Sequence, residues 1–125
     1  MFSINLGDMS RDFVNITCAE FPGAERSDPW GGGHDAWKVG GKMFACVGSV
    51  GDGVSLKTPD IETAGLLIEM GRAVQARYFH RSWVHIPWGM VAEDELAERL
   101  GRAYDIIRGS LTRRIRSELL PRQGT

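Results

Sequence analysis

The chain is short of cysteine, of net charge and of long apolar runs. Its two cysteines are Cys18 and Cys46. Neither stands in a CxxC pair or a Cys/His cluster, so neither a disulfide framework nor a zinc site has support, and no metal or cofactor is expected. Cys46 sits within an apolar stretch and reads as a small core residue. No apolar run approaches the length of a bilayer span. Residues 1–6 lack the basic and apolar regions of a secretory leader. The expectation is therefore a cytoplasmic chain with no membrane partner. The net charge is only −1. A near-neutral protein is a weak candidate for tight non-specific DNA binding, whose affinity comes mainly from phosphate neutralisation.

What is present is globular. Hydrophobic residues make up 42% and charged residues 25% of the 125 positions, proportions that exclude wholesale disorder and fit one domain spanning 1–125. The charge is uneven. Residues 1–35 carry six acids and two bases, residues 36–92 four acids and six bases, and residues 93–125 six acids and seven bases. The middle third holds the cations of interest.

Punctuation and periodicity divide the chain. A helix is expected over 10–20, with Ser10 as N-cap, ended by Phe21-Pro22-Gly23. Residues 22–35, with two prolines and the Gly31-Gly32-Gly33 run, read as a loop in which Trp30 is the anchor. A meander follows, with strands at 36–39, 42–48 and 54–58. Gly40-Gly41 supplies the two-residue turn of the first hairpin. Pro59-Asp60 opens a helix over 61–70, which Gly71 ends. Residues 74–79 and 82–88 form a second hairpin with His80-Arg81 at its tip. Leu96, Leu100, Tyr104, Ile107, Leu111 and Ile115 recur at helical spacing and predict one long helix over 93–120. The expected fold is α+β, an antiparallel sheet with helices on one side, in the order α-β-β-β-α-β-β-α.

The Gly40-Gly41 turn predicts a register in which Val39 faces Lys42, Lys38 faces Met43 and Trp37 faces Phe44. Alternation then assigns Trp37, Val39, Phe44 and Cys46 to the core face, and Lys38, Met43, Ala45 and Val47 to the other. Ser55 and Lys57 fall on that second face, so Lys38 and Lys57 flank one strand, with Lys42 beside the turn. Such lysines can simply keep a sheet soluble and its edges unpaired, or they can bind phosphate. Arg77 and Arg81 near the second tip, with Trp83 behind them, are compatible with nucleic-acid contact.

Signs of catalysis are weak. His34-Asp35 follows a glycine run with no nucleophile nearby in sequence and reads as a polar loop. The glycine run lacks the lysine and strand–loop–helix context of a phosphate-binding loop. Ser82 and Ser110 have no adjacent base. His85 reads as packed in a strand. The expectation is a protein that is not an enzyme.

Several stretches taken in order resemble one known family. They are Phe21-Pro22-Gly23-Ala24-Glu25, then Pro29-Trp30-Gly31, then residues 37–45 (Trp-Lys-Val-Gly-Gly-Lys-Met-Phe-Ala), then Leu56-Lys57, Trp83-Val84 and Tyr104. The chain is similar, over about 13–120, to the MmcQ/YjbR family with its CyaY-like fold. The resemblance implies an α+β domain whose two hairpins form a double wing for DNA. The matched basic positions are Lys38, Lys42 and Lys57, with Arg81 near another. Ala103 and the His80-Arg81-Ser82 tip depart from the family pattern.

Three functions follow as expectations. The first is a nucleic-acid-binding module of low sequence specificity, contacting phosphate through Lys38, Lys42, Lys57, Arg77 and Arg81. The second is a protein- or small-anion-binding domain with a pocket formed by Trp30, His34 and Trp37. The third, iron handling by analogy with the CyaY-like fold, ranks last, because the acids of residues 1–35 are scattered and make no ridge.

Overall fold

The computed structural model describes residues 6–122. Most of the amino-terminal segment considered for targeting features, residues 1–5, lies outside them. The elements are α1 (Leu6–Ala19), β1 (Ala24–Ser27), β2 (Asp35–Val39), β3 (Lys42–Val47), β4 (Gly53–Lys57), α2 (Ile61–Glu69), β5 (Val74–Gln75), β6 (Trp83–Pro87), α3 (Glu93–Ser110) and α4 (Arg113–Ser117). The strands form one antiparallel sheet in the order β1-β2-β3-β4-β6-β5. The α+β architecture and the order of the expected elements are as predicted, with one additional strand and the last helix divided.

Each departure has a local cause. The first helix begins by Leu6, with Asp8 in its first turn, so Ser10 lies inside it and caps nothing. Strand β1 occupies part of the expected loop, pairing Ala24–Ser27 with Val39–Ala36. It is an edge strand whose Glu25 and Arg26 are exposed, and so it lacks an apolar signature. Strand β5 is confined to two residues, which leaves 76–82 as a loop. The last helix breaks at Leu111, which is extended, and restarts after Thr112, whose hydroxyl accepts from Ile115 N. Leu111 stays buried across the break, so the helical spacing continues although the helix does not. Helix α2 forms as expected, with the Asp60 carboxylate accepting from Thr63 N at 2.7 Å, the usual rescue of an orphan first-turn donor.

The hairpin register holds next to the turn and slips beyond it. Gly40 and Gly41 take φ of +58° and +82°, the left-handed pair that a two-residue hairpin turn needs. Val39 faces Lys42 and Lys38 faces Met43, but Trp37 faces Ala45, because a bulge intervenes between Trp37 and Lys38. The expected Trp37–Phe44 pair is therefore corrected. The extra residue on β3 re-aims everything after it. Ala45 and Val47 turn into the core with Phe44, while Cys46 moves to the opposite face, level with Ala36 and Ser55.

The core is one cluster. Phe44, Ala45, Val47, Val54, Leu56, Val84 and Ile86 supply the sheet side, and Val14, Ala64, Leu67, Leu96, Leu100, Tyr104 and Ile107 the helix side. Each fully buried large side chain contributes roughly 1.5–3 kcal/mol. Helix α3 lies across β3 and β4 with α1 beside it, and α2 packs on β6. Phe21 stacks on Tyr104 with ring centroids 4.8 Å apart, and Phe44 meets the same ring edge-on at 5.5 Å. The Tyr104 hydroxyl donates to the Pro22 carbonyl at 2.6 Å and accepts from Arg108 at 2.9 Å.

Candidate functional site

The helices pack on one side of the sheet, and the other side carries none of them. Trp37, Ala45, Leu56 and Val84 form a row on the core side. One step further along β2 and β4 stand Lys38 and Lys57, on the open side by alternation. Two strand spacings separate them, roughly 10 Å. Lys38 faces Met43 across β3, and Lys57 faces Trp83 across β6. The expected pair of lysines flanking one strand is therefore in place. Lys42 is exposed beside the turn.

Two details limit the positive character of this face. Glu25 is the cross-strand partner of Lys38 on β1, which puts a carboxylate beside that lysine. Lys57 is engaged: its Nζ donates to Thr58 O at 2.8 Å and to Ser82 Oγ at 2.7 Å. Burial lowers its pKa, against the pull of Asp60.

The 76–82 loop lies next to Lys57, tied to it through Ser82. Arg77, Tyr78, His80 and Arg81 are all exposed, Tyr78 at 92%. Phe79 folds back and stacks on Trp83, with centroids 4.5 Å apart and planes at 15°. The loop thus shows cations and one free aromatic ring to solvent.

Trp37 lines a depression with Asn15, Ile16, Ala24 and Arg26, and Trp30 and His34 are not among its lining residues. Trp30 meets His34 edge-on at 4.9 Å, on a loop that Asp28 organises by accepting from Gly32, Gly33 and His34 N–H groups. Those bonds, Gly33's first, hold the Asp28 carboxyl below the ordinary carboxylate range. Trp37 belongs to the core side. Its indole N–H donates to Asn15 at 2.9 Å, and the Arg26 guanidinium lies over its ring. Asp35, next to His34, is no base in waiting. Burial raises its pKa, but hydrogen bonds from Arg11 and Asn15 outweigh this and hold it ionised at lower pH than usual.

The expectation that Ser82 has no adjacent base is corrected by His80, two positions before it. Ser82 is buried, and its Oγ lies 2.8 Å from His80 Nδ1 as well as 2.7 Å from Lys57 Nζ. The three residues line an open cavity of about 520 Å³ with Pro59, Asp60, Ile61 and Glu62. Lys57 and Ser82 are separated by 25 positions in sequence, so only strand pairing could have revealed them as neighbours. Among the described residues no three His, Cys, Asp or Glu side chains converge as metal ligands, and no helix is long and apolar enough to cross a membrane.

This sheet, with its meander, α2 crossover and covering helix, defines an α+β domain of a recognisable kind. A profile of the YjbR family matches residues 19–106, most of the chain, and the protein belongs to the YjbR family. A solved relative in fold is the Deinococcus radiodurans protein DR2400, described with a DUF419 domain. It superposes with a TM-score of 0.76 at 24% identity, covering 86% of each chain. No curated protein matches.

Proposed function

We propose that this YjbR domain is a nucleic-acid-binding module of low sequence specificity, working by contact and without chemistry on the nucleic acid. The observation that supports the proposal is the placement of Lys38 and Lys57 on the helix-free sheet face, with exposed Arg77, Tyr78 and Arg81 on the loop that Ser82 ties to Lys57. The β2–β3 and β5–β6 hairpins are the two wings, with Lys42 at the tip of the first. Cations and ring faces hold phosphates and stack on bases but do not read base edges, which is why specificity is low. Lys57 plays the smaller part, since two of its three N–H groups are occupied. Glu25 and the net charge of −1 keep affinity modest.

The test is fluorescence anisotropy with labelled single-stranded and duplex DNA across a salt series. Binding at low salt is expected. The variant Lys38→Ala/Arg77→Ala/Arg81→Ala lowers the salt slope by about 2, since each phosphate that the protein ceases to neutralise removes roughly 0.7 to 0.9. Absence of binding to either DNA form at low salt, or an unchanged slope, overturns the proposal.

A further inference from the structure

The proposed phosphate contacts use neither Ser82 nor His80, whose geometry with Lys57 supports a separate reading. Ser82 N lies in donor geometry to His80 Nδ1 at 3.1 Å, an arrangement in which that ring nitrogen presents its lone pair. The Ser82 hydroxyl, 2.8 Å from the same nitrogen, then has its proton directed at a base. Lys57 donates to the other side of the same oxygen. A hydroxyl held between an accepting imidazole nitrogen and a lysine side chain has the two helpers that nucleophilic attack requires: an acceptor for its proton and a cation for the charge that develops on oxygen.

The surroundings extend this. The cavity that Ser82, His80 and Lys57 line is open to solvent, and its remaining wall is the start of α2. Ile61 and Glu62 are the first two residues of that helix. Their backbone N–H groups have no intrahelical acceptor, while the Asp60 side chain is spent on Thr63. These are donors of the kind that stabilise a carbonyl oxygen as it turns negative. Pro59 and Ile61 add apolar surface, and the carboxylates of Asp60 and Glu62 repel anions.

We propose that Ser82 is an acyl-accepting nucleophile for small activated esters that are uncharged or cationic. Ser82 Oγ attacks the ester carbonyl carbon, and its proton passes to His80 Nδ1. The carbonyl carbon–oxygen bond to the leaving group breaks, and the imidazolium returns the proton to the departing alkoxide or phenoxide. Ester and serine become acyl-serine and alcohol. Lys57 keeps its proton throughout and holds Oγ. Because the Ser82 N–H competes for Nδ1, the imidazole is a restrained base, which confines the chemistry to esters with good leaving groups.

The experiment is acetylation of the full chain by p-nitrophenyl acetate, read by release of p-nitrophenol and by peptide mass spectrometry. Acetyl on Ser82 is expected in the wild type and is lost in Ser82→Ala. His80→Asn preserves an acceptor for the Ser82 N–H but takes no proton, and it should slow Ser82 acetylation about a hundredfold, the scale of a lost general base. Circular dichroism checks that both variants are folded. The anionic p-nitrophenyl succinate should react more slowly than the acetate. Acetyl found only on lysines, or equal Ser82 acetylation in His80→Asn, overturns the proposal. Neither result bears on the DNA assay above, which leaves Ser82 and His80 intact.

Discussion

The Tyr104 hydroxyl is the most informative single group to remove. Tyr104 is fully buried, and its ring is held by Phe21 and Phe44. Tyr104→Phe keeps that ring packing and deletes only the oxygen. Two bonds go with it: the 2.6 Å donation to Pro22 O, which spans 82 positions, and the 2.9 Å bond accepted from Arg108. Arg108 is half-exposed and can turn to water. The Pro22 carbonyl belongs to a partly buried residue. A stranded acceptor costs about 1–3 kcal/mol, so we expect a loss of about 1.5 kcal/mol, near the lower end, and a melting point lower by about 6 °C for a chain of this size. Urea titration monitored by circular dichroism gives the free energy, and an unchanged slope shows that the unfolded ensemble is the same. A loss below about 0.5 kcal/mol would show that the carbonyl finds water, and would refute the view that this bond pins the Phe21-Pro22-Gly23 segment to α3.

Other consequences are open to direct measurement. A Cβ on Gly53 would lie 2.4 Å from Ile86 O and 2.8 Å from Pro87 Cα. Gly53→Ala should therefore cost about 1–3 kcal/mol by forcing β4 from β6, and a melting point equal to that of the wild type would contradict the tight strand contact. The depressed pKa of Asp35 means that its pairing with Arg11 and Asn15 stabilises the fold above the ordinary carboxylate range. That contribution is lost as pH falls through the lowered value. Asp35→Asn should flatten the acid limb of the stability–pH curve, and superimposable curves would deny the linkage. Burial pushes the Cys18 thiol up beyond the usual range, and burial followed by the Asp35 charge pushes Cys46 up to about 11. Neither cysteine should react with a thiol reagent at neutral pH until denaturant is added; rapid labelling of the native protein would rule out the burial described.

The sequence was legible where one local cause decides the structure. Gly40-Gly41 determined a turn and the two pairs beside it, and Pro59-Asp60 a helix start. It was opaque where tertiary contact decides. Nothing in Trp37-Lys38 or Phe44-Ala45 signals a bulge, because every residue of that β3 stretch is apolar and either phase buries well. Ala24–Ser27 is a strand through its pairing with β2, not through its own side chains. The break at Leu111 hid behind an unbroken helical spacing, though Thr112, a residue type suited to capping, was a usable sign. The lysines of the sheet face followed from alternation, which the bulge does not disturb on the turn side of β2. In the Ser82 cluster, His80 is only two positions away and was within reach of the sequence, whereas Lys57 joins it only once β4 and β6 lie side by side.

The placement of α3 also bears on how the protein is made. The sheet is built from residues 24–87, yet the helix that covers its middle strands comes from residues 93–110. A chain emerging from the ribosome would complete its meander while Phe44 and Leu56 still lacked their cover. The core can close only once nearly the whole domain has been released. Until then the nascent sheet has only α1 and α2 to cover it, the form in which it is most exposed to aggregation and most in need of a chaperone.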